Sequence, residues 1–354
     1  MRSLNNPEKI KFYIPERTAM VIRSDAEHFE IYKPNGEEIN LNRFLSLLII
    51  GYYNIYKQER NEAAEAIRAL IAPHLKSSRQ KDELTEQIME QVILPEVSRR
   101  KGSHSASLSL KPTLDTDPIL TEINQSLVGT SDYISQYLRR MLMSYCEKPI
   151  YEREKIIFHE KVEFLLEACA SGREISFTTI YNPKVIHHVI PYDLTHGSEE
   201  RFNYLLGQEY NETLKKDMAV SYRLCRINRP SFSITSGTIN APIRKYLDIT
   251  KRNSPQYPIN EDTESCVRLS EVGQQRFIMI YFGRPAVIRR EKEEDGNMLY
   301  YFQSSIYQLY RYFVRFNATE AEVLYPENLR ERLRRFYEGA LEVYNQKPAE
   351  KQDE

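Results

Sequence analysis

Between Arg173 and Asn228 the chain spells four short runs: REISFTTIY (173–181), VIHHVIPYDL (185–194), FNYLLGQEY (202–210) and VSYRLCRIN (220–228). Each is rich in β-branched and aromatic residues, and turn-forming clusters separate them: Asn182-Pro183, His196-Gly197-Ser198-Glu199-Glu200 and Asn211-Glu212-Thr213. Branched and aromatic side chains suit a pleated surface, while Asn, Pro and Gly suit tight turns. The stretch from Arg173 to Ser233 therefore predicts several short strands curled into a small β-barrel. His187 and His188 are adjacent in one apolar run, so their side chains must point to opposite faces.

Charge gives the same stretch a chemical character. The whole chain is nearly neutral, with 49 Lys and Arg against 50 Asp and Glu, so an anion site must be a local patch. From Lys215 to Arg252 there are nine Lys and Arg and only Asp217 and Asp248 as acids, a local charge of +7. Arg offers a bidentate fork to phosphate, and Tyr a face on which an unpaired base can stack. The plainer reading is a solvated basic face with Tyr204 in the core. At 354 residues, with 41% hydrophobic and 28% charged residues and only 12 Gly, the chain is long enough for two to four globular domains. Tyrosine is abundant, at 25 copies, and tryptophan is absent.

The order of landmarks resembles the WYL domain, an Sm-like barrel common in bacterial regulators. Gly172-Arg173 with Phe177 match the family's entry strand, and Pro191-Tyr192-Asp193-Leu194 match its Pro ahead of a Leu. Asn203-Tyr204-Leu205, followed by Leu206-Gly207, match the tripeptide that names the family. Tyr222-Arg223-Leu224-Cys225-Arg226-Ile227 match its aromatic-Arg-Leu-x-Arg-Ile strand. Asn203 replaces the family's Trp, and Cys225 replaces an Asp, which removes a carboxylate neighbour and leaves Arg226 freer to hold an external anion. The resemblance implies a nucleic-acid-sensing site, often for single strands. Tyr204, Arg223 and Arg226 match its polar positions, and His188 on the preceding strand is a neighbour.

Toward the C-terminus, VRLSEV (267–272), FIMIYF (277–282), AVIRREK (286–292), MLYYFQ (298–303) and AEVLYP (321–326) read as strands. SSIYQLYRYFVRF (304–316) reads as a helix, and a closing helix places Leu329, Leu333, Phe336, Ala340, Leu341 and Tyr344 on one face. This α+β sandwich resembles the C-terminal extension of WYL proteins, which implies dimerisation or closure over a ligand. Arg330, Arg332, Arg334 and Arg335 either extend the basic surface or solvate the helix. Residues 347–354 read as a disordered tail.

The front of the chain holds a repeat. In residues 9–14 Lys9, Lys11 and Tyr13 alternate with Ile10, Phe12 and Ile14; in residues 105–111 Ser105, Ser107, Ser109 and Lys111 alternate with Ala106, Leu108 and Leu110. Each run is a half-buried strand followed by Pro15 or Pro112, a helix, a turn and a second helix. In the first copy the segment to Tyr32 reads as a helix, although Val21-Ile22 leaves a strand open, and Asn40 is the N-cap of the helix that follows. Residues 60–76 and 80–98 read as further helices, Arg99-Arg100-Lys101-Gly102 as a basic loop, and Tyr151 to Ala170 as a connecting helix ended by Gly172. Strand–helix–helix resembles the ribbon–helix–helix fold of small repressors, in which two paired strands enter the major groove. The groove-facing positions would be Lys9, Lys11, Tyr13, Ser107, Ser109 and Lys111; equally, these are exposed strand positions of a scaffold. Residues 1–60 hold nine Lys and Arg against eight acids, so no general electrostatic footprint supports duplex DNA there. The repeats could pair within one chain or between chains.

The expected organisation is α+β: ribbon–helix–helix-like repeats (1–150), a connecting helix (151–172), an Sm-like barrel (173–250), an α+β extension (251–346) and the tail. The four cysteines, Cys146, Cys169, Cys225 and Cys266, have no C-x-x-C spacing and read as reduced core thiols. No apolar signal region opens the sequence, and Phe44–Tyr53 is too short to span a bilayer, so a cytoplasmic protein is expected. There is no P-loop, G-x-S-x-G or H-E-x-x-H. The R-x4-H pattern of HEPN-type RNases occurs at Arg23/His28 and Arg99/His104, short enough to arise by chance, so neither catalysis, metal nor cofactor is expected. The architecture is similar to the WYL-domain accessory proteins of type VI-D CRISPR–Cas systems. That resemblance implies a homodimer that binds single-stranded RNA and enhances the RNA-guided RNase of its locus. The alternative is a WYL-type transcriptional regulator whose front module reads duplex DNA.

Overall fold

A computed structural model describes residues 9–89, 105–129, 132–197 and 201–345, and the chain divides into two compact units between Glu160 and Lys161. The loop 99–102, the Arg99/His104 pattern and the tail from Lys347 lie outside the described residues.

In the first unit, β1 (Ile10–Pro15) precedes α1 (Glu16–His28), α2 (Leu41–Ile71) and α3 (Ser78–Ile88). Then come β2 (Ser105–Leu110), α4 (Asp117–Ser126), α5 (Ile134–Glu147) and α6 (Ile150–Ile157). β1 and β2 pair antiparallel within the one chain, with Ile10 opposite Leu110, Phe12 opposite Leu108 and Tyr13 opposite Ser107. The period-two pattern explains the outcome: Phe12, Ile14, Leu108 and Leu110 are buried beneath the ribbon, and Lys11, Tyr13, Ser107 and Ser109 face outward. Asn42 fixes the end of β2 by exchanging two hydrogen bonds with the Lys111 backbone, at 2.7 and 3.3 Å.

Asn40 caps α2 as expected, its Oδ1 accepting from Arg43 N at 3.0 Å. The two helices anticipated over 41–55 and 60–76 are a single helix. QERNEAAEAIRAL consists almost wholly of good helix formers, and nothing interrupts it before Pro73. The connecting helix, by contrast, is two: at Phe158 (φ −110°, ψ 32°) the helical backbone breaks, and the ring packs edge-on against Phe29 at 6.2 Å.

Gly51 sits where α2 meets α6, and a Cβ there would lie 2.1 Å from the Ile156 carbonyl oxygen. In an exposed helix, Gly→Ala gains about 1 kcal/mol of propensity. Here the backbone clash reverses the sign, so Gly51→Ala is expected to destabilise the unit by about 1–3 kcal/mol in urea unfolding. A stabilising effect would show that the two helices are not held this close.

The boundary between the units falls within α7 (His159–Ser171), which stops at Gly172 in the left-handed region (φ +65°). β3 (Arg173–Thr179), β4 (Ile186–Thr195), β5 (Tyr204–Asn211), β6 (Lys216–Arg223) and β7 (Ile227–Ser236) form one antiparallel sheet in the order β6-β5-β4-β3-β7. β6 and β7 are joined by the 3-10 turn Leu224–Arg226 yet occupy opposite edges. Laid flat, those edges would be about 19 Å apart, and four Cα steps reach at most about 14 Å. The sheet must curl, and Tyr222 of β6 accordingly meets Phe177 of β3 at 5.0 Å and His187 of β4 at 4.9 Å.

The curl does not close into the barrel that the sequence led us to expect, because the β6 edge is otherwise engaged. Asn260 takes both backbone groups of Ala219, at 2.7 and 2.9 Å, and Pro255 O accepts from Ser221 Oγ at 2.5 Å. Over the sheet lies α8 (Ala241–Asn253), a helix the sequence reading did not anticipate, with Ile243 and Leu247 packed on Leu206 and Ala219.

β8 (Ser265–Leu269), α9 (Glu271–Met279), β9 (Val287–Lys292), β10 (Met298–Phe302), α10 (Ile306–Phe313), β11 (Ala321–Tyr325) and α11 (Glu327–Asn345) complete the unit. Their antiparallel sheet runs β11-β8-β10-β9. FIMIYF, anticipated as a strand, supplies the end of α9. Ser270 caps that helix through Gly273 N at 3.2 Å, and Arg276 is clamped to Glu320 at 3.0 Å and to Arg315 O at 2.6 Å. Only Phe277 of its first three residues is buried, while Ile278 and Met279 are exposed, which is not a strand's alternation.

Among the described residues no helix is long and apolar enough to cross a membrane, and no His, Cys, Asp and Glu grouping could hold a metal ion. None of the four cysteines forms a disulfide.

Candidate nucleic-acid interface

Tyr204 and Arg223 are direct cross-strand partners on β5 and β6, and Arg226 follows in the 3-10 turn. The turn is pinned from three sides. Leu224 N donates to Asn203 O at 2.9 Å, Ile180 N to Arg226 O at 3.1 Å, and Lys161 Nζ to Leu224 O at 3.1 Å. Each arginine lies on an aromatic ring: the Arg223 guanidinium is 3.3 Å from the Phe202 ring centre, and that of Arg226 is 4.9 Å from Tyr181. A planar cation laid on a ring is held in a fixed orientation by that ring. Arg229, three residues on, is exposed and held at φ +50° where β7 slips register against β3.

Tyr204 and Arg223 lie opposite one another on β5 and β6, but Tyr204 is only 7% exposed. The open ring at this end of the sheet is Tyr181, at 69% exposure. Asn203, at the family's Trp position, is fully buried.

His188 is not brought to this end. It faces outward opposite Ser176, its Nδ1 3.4 Å from Glu174 Oε1. The β4 residue opposite Tyr204 is Thr195, seven positions on and about 23 Å along the strand. His187 takes the other face, as strand geometry requires, with Nδ1 2.9 Å from Glu209 and 2.8 Å from the Tyr222 hydroxyl. Tyr222 also donates to Glu209; burial first, and that carboxylate second, push its phenol well above the ordinary value.

The +7 stretch does not form one surface. Lys215 pairs with Glu212 at 2.8 Å, Lys245 with Asp262 at 2.6 Å and Lys251 with Asp193 at 2.7 Å. Arg223 ends β6, Arg226 ends the 3-10 turn and Arg229 is the third residue of β7. On α11, Arg330 reaches Glu322, Arg334 and Arg335 share Glu331, and Arg332 covers the Tyr310 ring at 4.3 Å. Those arginines serve their own helix and sheet.

Sequence reasoning missed Phe202, Tyr181 and Lys161. No local signal identifies them: Tyr181 is brought to Arg226 only by the backbone bond between Ile180 and Arg226.

In the first unit the ribbon's outer face carries Lys11, whose ammonium is 5.6 Å from the Tyr13 ring, with Ser107 and Ser109 opposite. Lys9 and Lys111 are exposed at its end. Arg23 and His28 both lie on α1 but about 140° apart around its axis. His28 Nδ1 instead meets Ser24 Oγ at 3.1 Å.

No protein-family model matches the chain, and no curated protein matches it. A solved structure described as a CRISPR Cas-related protein is similar over 98% of this chain and 97% of that one, at a TM-score of 0.69 and 19% identity. The two chains share a fold over nearly their whole length. Proteasome accessory factor B/C (PafBC) of Arthrobacter aurescens is matched at a TM-score of 0.26 and 14% identity, over 69% of this chain and 39% of that one. A likeness at that score carries no weight here.

Proposed function

We propose that this chain is a non-catalytic accessory protein of a CRISPR–Cas system that binds single-stranded RNA through the WYL-like end of its curled sheet. The carrying observation is the pair of arginines seated on rings, Arg223 on Phe202 and Arg226 on Tyr181. Guanidinium groups beside the exposed Tyr181 ring suit a flexible strand that offers both phosphates and unpaired bases. A duplex hides its bases, so this arrangement gains less from one. The full-length fold likeness to a CRISPR Cas-related protein supports the assignment to such a system. On this reading, in line with the type VI-D accessory proteins that the sequence resembles, the chain works as a homodimer and enhances an RNA-guided RNase.

The test is fluorescence anisotropy of the full chain with labelled single-stranded RNA, single-stranded DNA and duplex DNA at two or more salt concentrations. Single-stranded RNA should bind tightest. Three phosphate contacts from Arg223, Arg226 and Arg229 correspond to a slope of log K against log salt near about −2 for a single strand. Preference for duplex DNA would overturn the proposal.

A second reading has its own support. The paired ribbon, with Lys11, Tyr13, Ser107 and Ser109 outward, is built within one chain, so a ribbon–helix–helix-like reader of duplex DNA needs no second strand donor.

A further inference from the structure

Among the described residues three positions other than glycine have a positive φ: Glu30, Lys215 and Arg229. Two of them are ordinary places for it. Glu30 follows the C-cap of α1, and Lys215 belongs to the turn between β5 and β6, its ammonium 2.8 Å from Glu212. Arg229 is different. It is the third residue of β7, and at φ +50° it breaks the extended conformation inside a strand. A residue with a Cβ is disfavoured in the left-handed region. A proline also draws the residue before it toward extended backbone, and Pro230 comes next. Arg229 is strained on both counts.

The strand itself needs a bulge here. Thr178 pairs with Asn228 and Ser176 with Ser231, so Arg229 and Pro230 together oppose the single residue Phe177. Side chains fix both rungs: Asn228 Nδ2 donates to Thr178 Oγ1 at 3.3 Å, and the Ser176 and Ser231 hydroxyls meet at 3.1 Å. Such a bulge requires only the backbone conformation, which glycine adopts without strain. Arginine in its place needs another reason. Packing does not supply one, because the side chain is exposed. Position does. Arg229 lies three residues after Arg226, no more than about 11 Å from it along the chain. The Ile180–Arg226 backbone bond, which brings Tyr181 in, is made just before β7 begins.

We propose that Arg229 is a phosphate-binding residue presented by the bulge and retained at a cost in stability. This rests on the single-stranded RNA reading of Arg223 and Arg226, whose contact it extends from the 3-10 turn onto β7. Stability and binding should therefore move in opposite directions at this one position.

Three variants of the full chain separate backbone from side chain. Arg229→Gly relieves the strain and removes the guanidinium, Arg229→Ala removes the guanidinium alone, and Arg229→Lys keeps a charge. By anisotropy, single-stranded RNA affinity should fall about tenfold or more in the Gly and Ala variants alike. Their slope of log K against log salt should flatten by about 0.7. Arg229→Lys should keep the slope while losing part of the affinity, because an ammonium cannot make a bidentate contact. In urea unfolding, the midpoint of Arg229→Gly should lie above that of Arg229→Ala and no lower than that of wild type. Unchanged RNA affinity in the Gly and Ala variants, with binding lost in Arg223→Ala with Arg226→Ala, would overturn this proposal and leave the RNA interface standing. A Gly midpoint below the Ala midpoint would overturn it as well, since the backbone would then carry no strain. If Arg223→Ala with Arg226→Ala also binds as wild type does, the RNA reading fails and Arg229 falls with it.

Discussion

Replacing Arg153 by Met is expected to cost the first unit about 3–5 kcal/mol at neutral pH. Arg153 donates to both carboxylate oxygens of Asp25, at 2.7 and 2.9 Å, and Asp25 is almost fully buried. Tyr145 adds a third hydrogen bond at 2.9 Å. Removing the guanidinium strands a carboxylate where water cannot reach it. The proton then decides the size of the effect. Burial already pushes the Asp25 carboxyl above its ordinary value, against the pull of Arg153 and Tyr145. Without Arg153 it must rise further, so the folded variant takes up a proton more readily than the unfolded chain does. Its stability therefore grows as pH falls from above that raised value toward the unfolded value near about 3.9. Urea unfolding at pH 7 and pH 5 should show the gap between wild type and variant narrowing on the acid side. Asp25→Asn in the Arg153→Met background should recover the charge part at pH 7. The loss of the Lys148 carbonyl bond, at 2.6 Å, should remain. A gap independent of pH would mean that Asp25 is not the stranded group.

How much of this molecule can be read from its sequence follows from how local each cause is. The runs from Arg173 to Arg223 became strands because alternation and turn chemistry act over a few residues, and Asn40 and Gly172 act within one helical turn. The pairing of β1 with β2 follows from two half-buried strands that each need a partner, although only the structure shows that the partner lies on the same chain. FIMIYF failed because its apolarity reflects one deep contact, Phe277, and two exposed neighbours, and the Ser270 cap before it decides the helix. Barrel closure failed for a cause far along the chain: Asn260 fills the edge at Ala219, 41 residues away. The candidate site divides in the same way. The family resemblance and the local excess of basic residues single out Arg223 and Arg226. That Tyr204 is buried, that His188 lies far along β4 and that Tyr181 is the open ring depend on register and on a curl that no short window encodes.

Exchanging Arg223 and Arg226 for Ala should reduce single-stranded RNA affinity by about a hundredfold or more, since hydrogen bonds to charged groups contribute about 1.5–3 kcal/mol each. Two lost phosphate contacts should also flatten the salt slope by about 1.4 units on a single strand. Tyr181→Ala separates the two parts of the chemistry. A stacked base contributes about 1–3 kcal/mol and releases no counterion, so affinity should fall while the slope stays fixed. Lys11→Ala with Tyr13→Ala, on the ribbon of the other unit, should leave RNA binding intact. The opposite pattern, with duplex DNA lost in the ribbon variant and untouched in the arginine variant, assigns affinity to the ribbon and makes the protein a regulator. If neither pair alters any nucleic-acid binding, the basic end of the sheet is a solvated face and the chain is an assembly scaffold. Anisotropy on four purified proteins at three salt concentrations distinguishes these outcomes, because only the first moves the affinity and the slope for single-stranded RNA together.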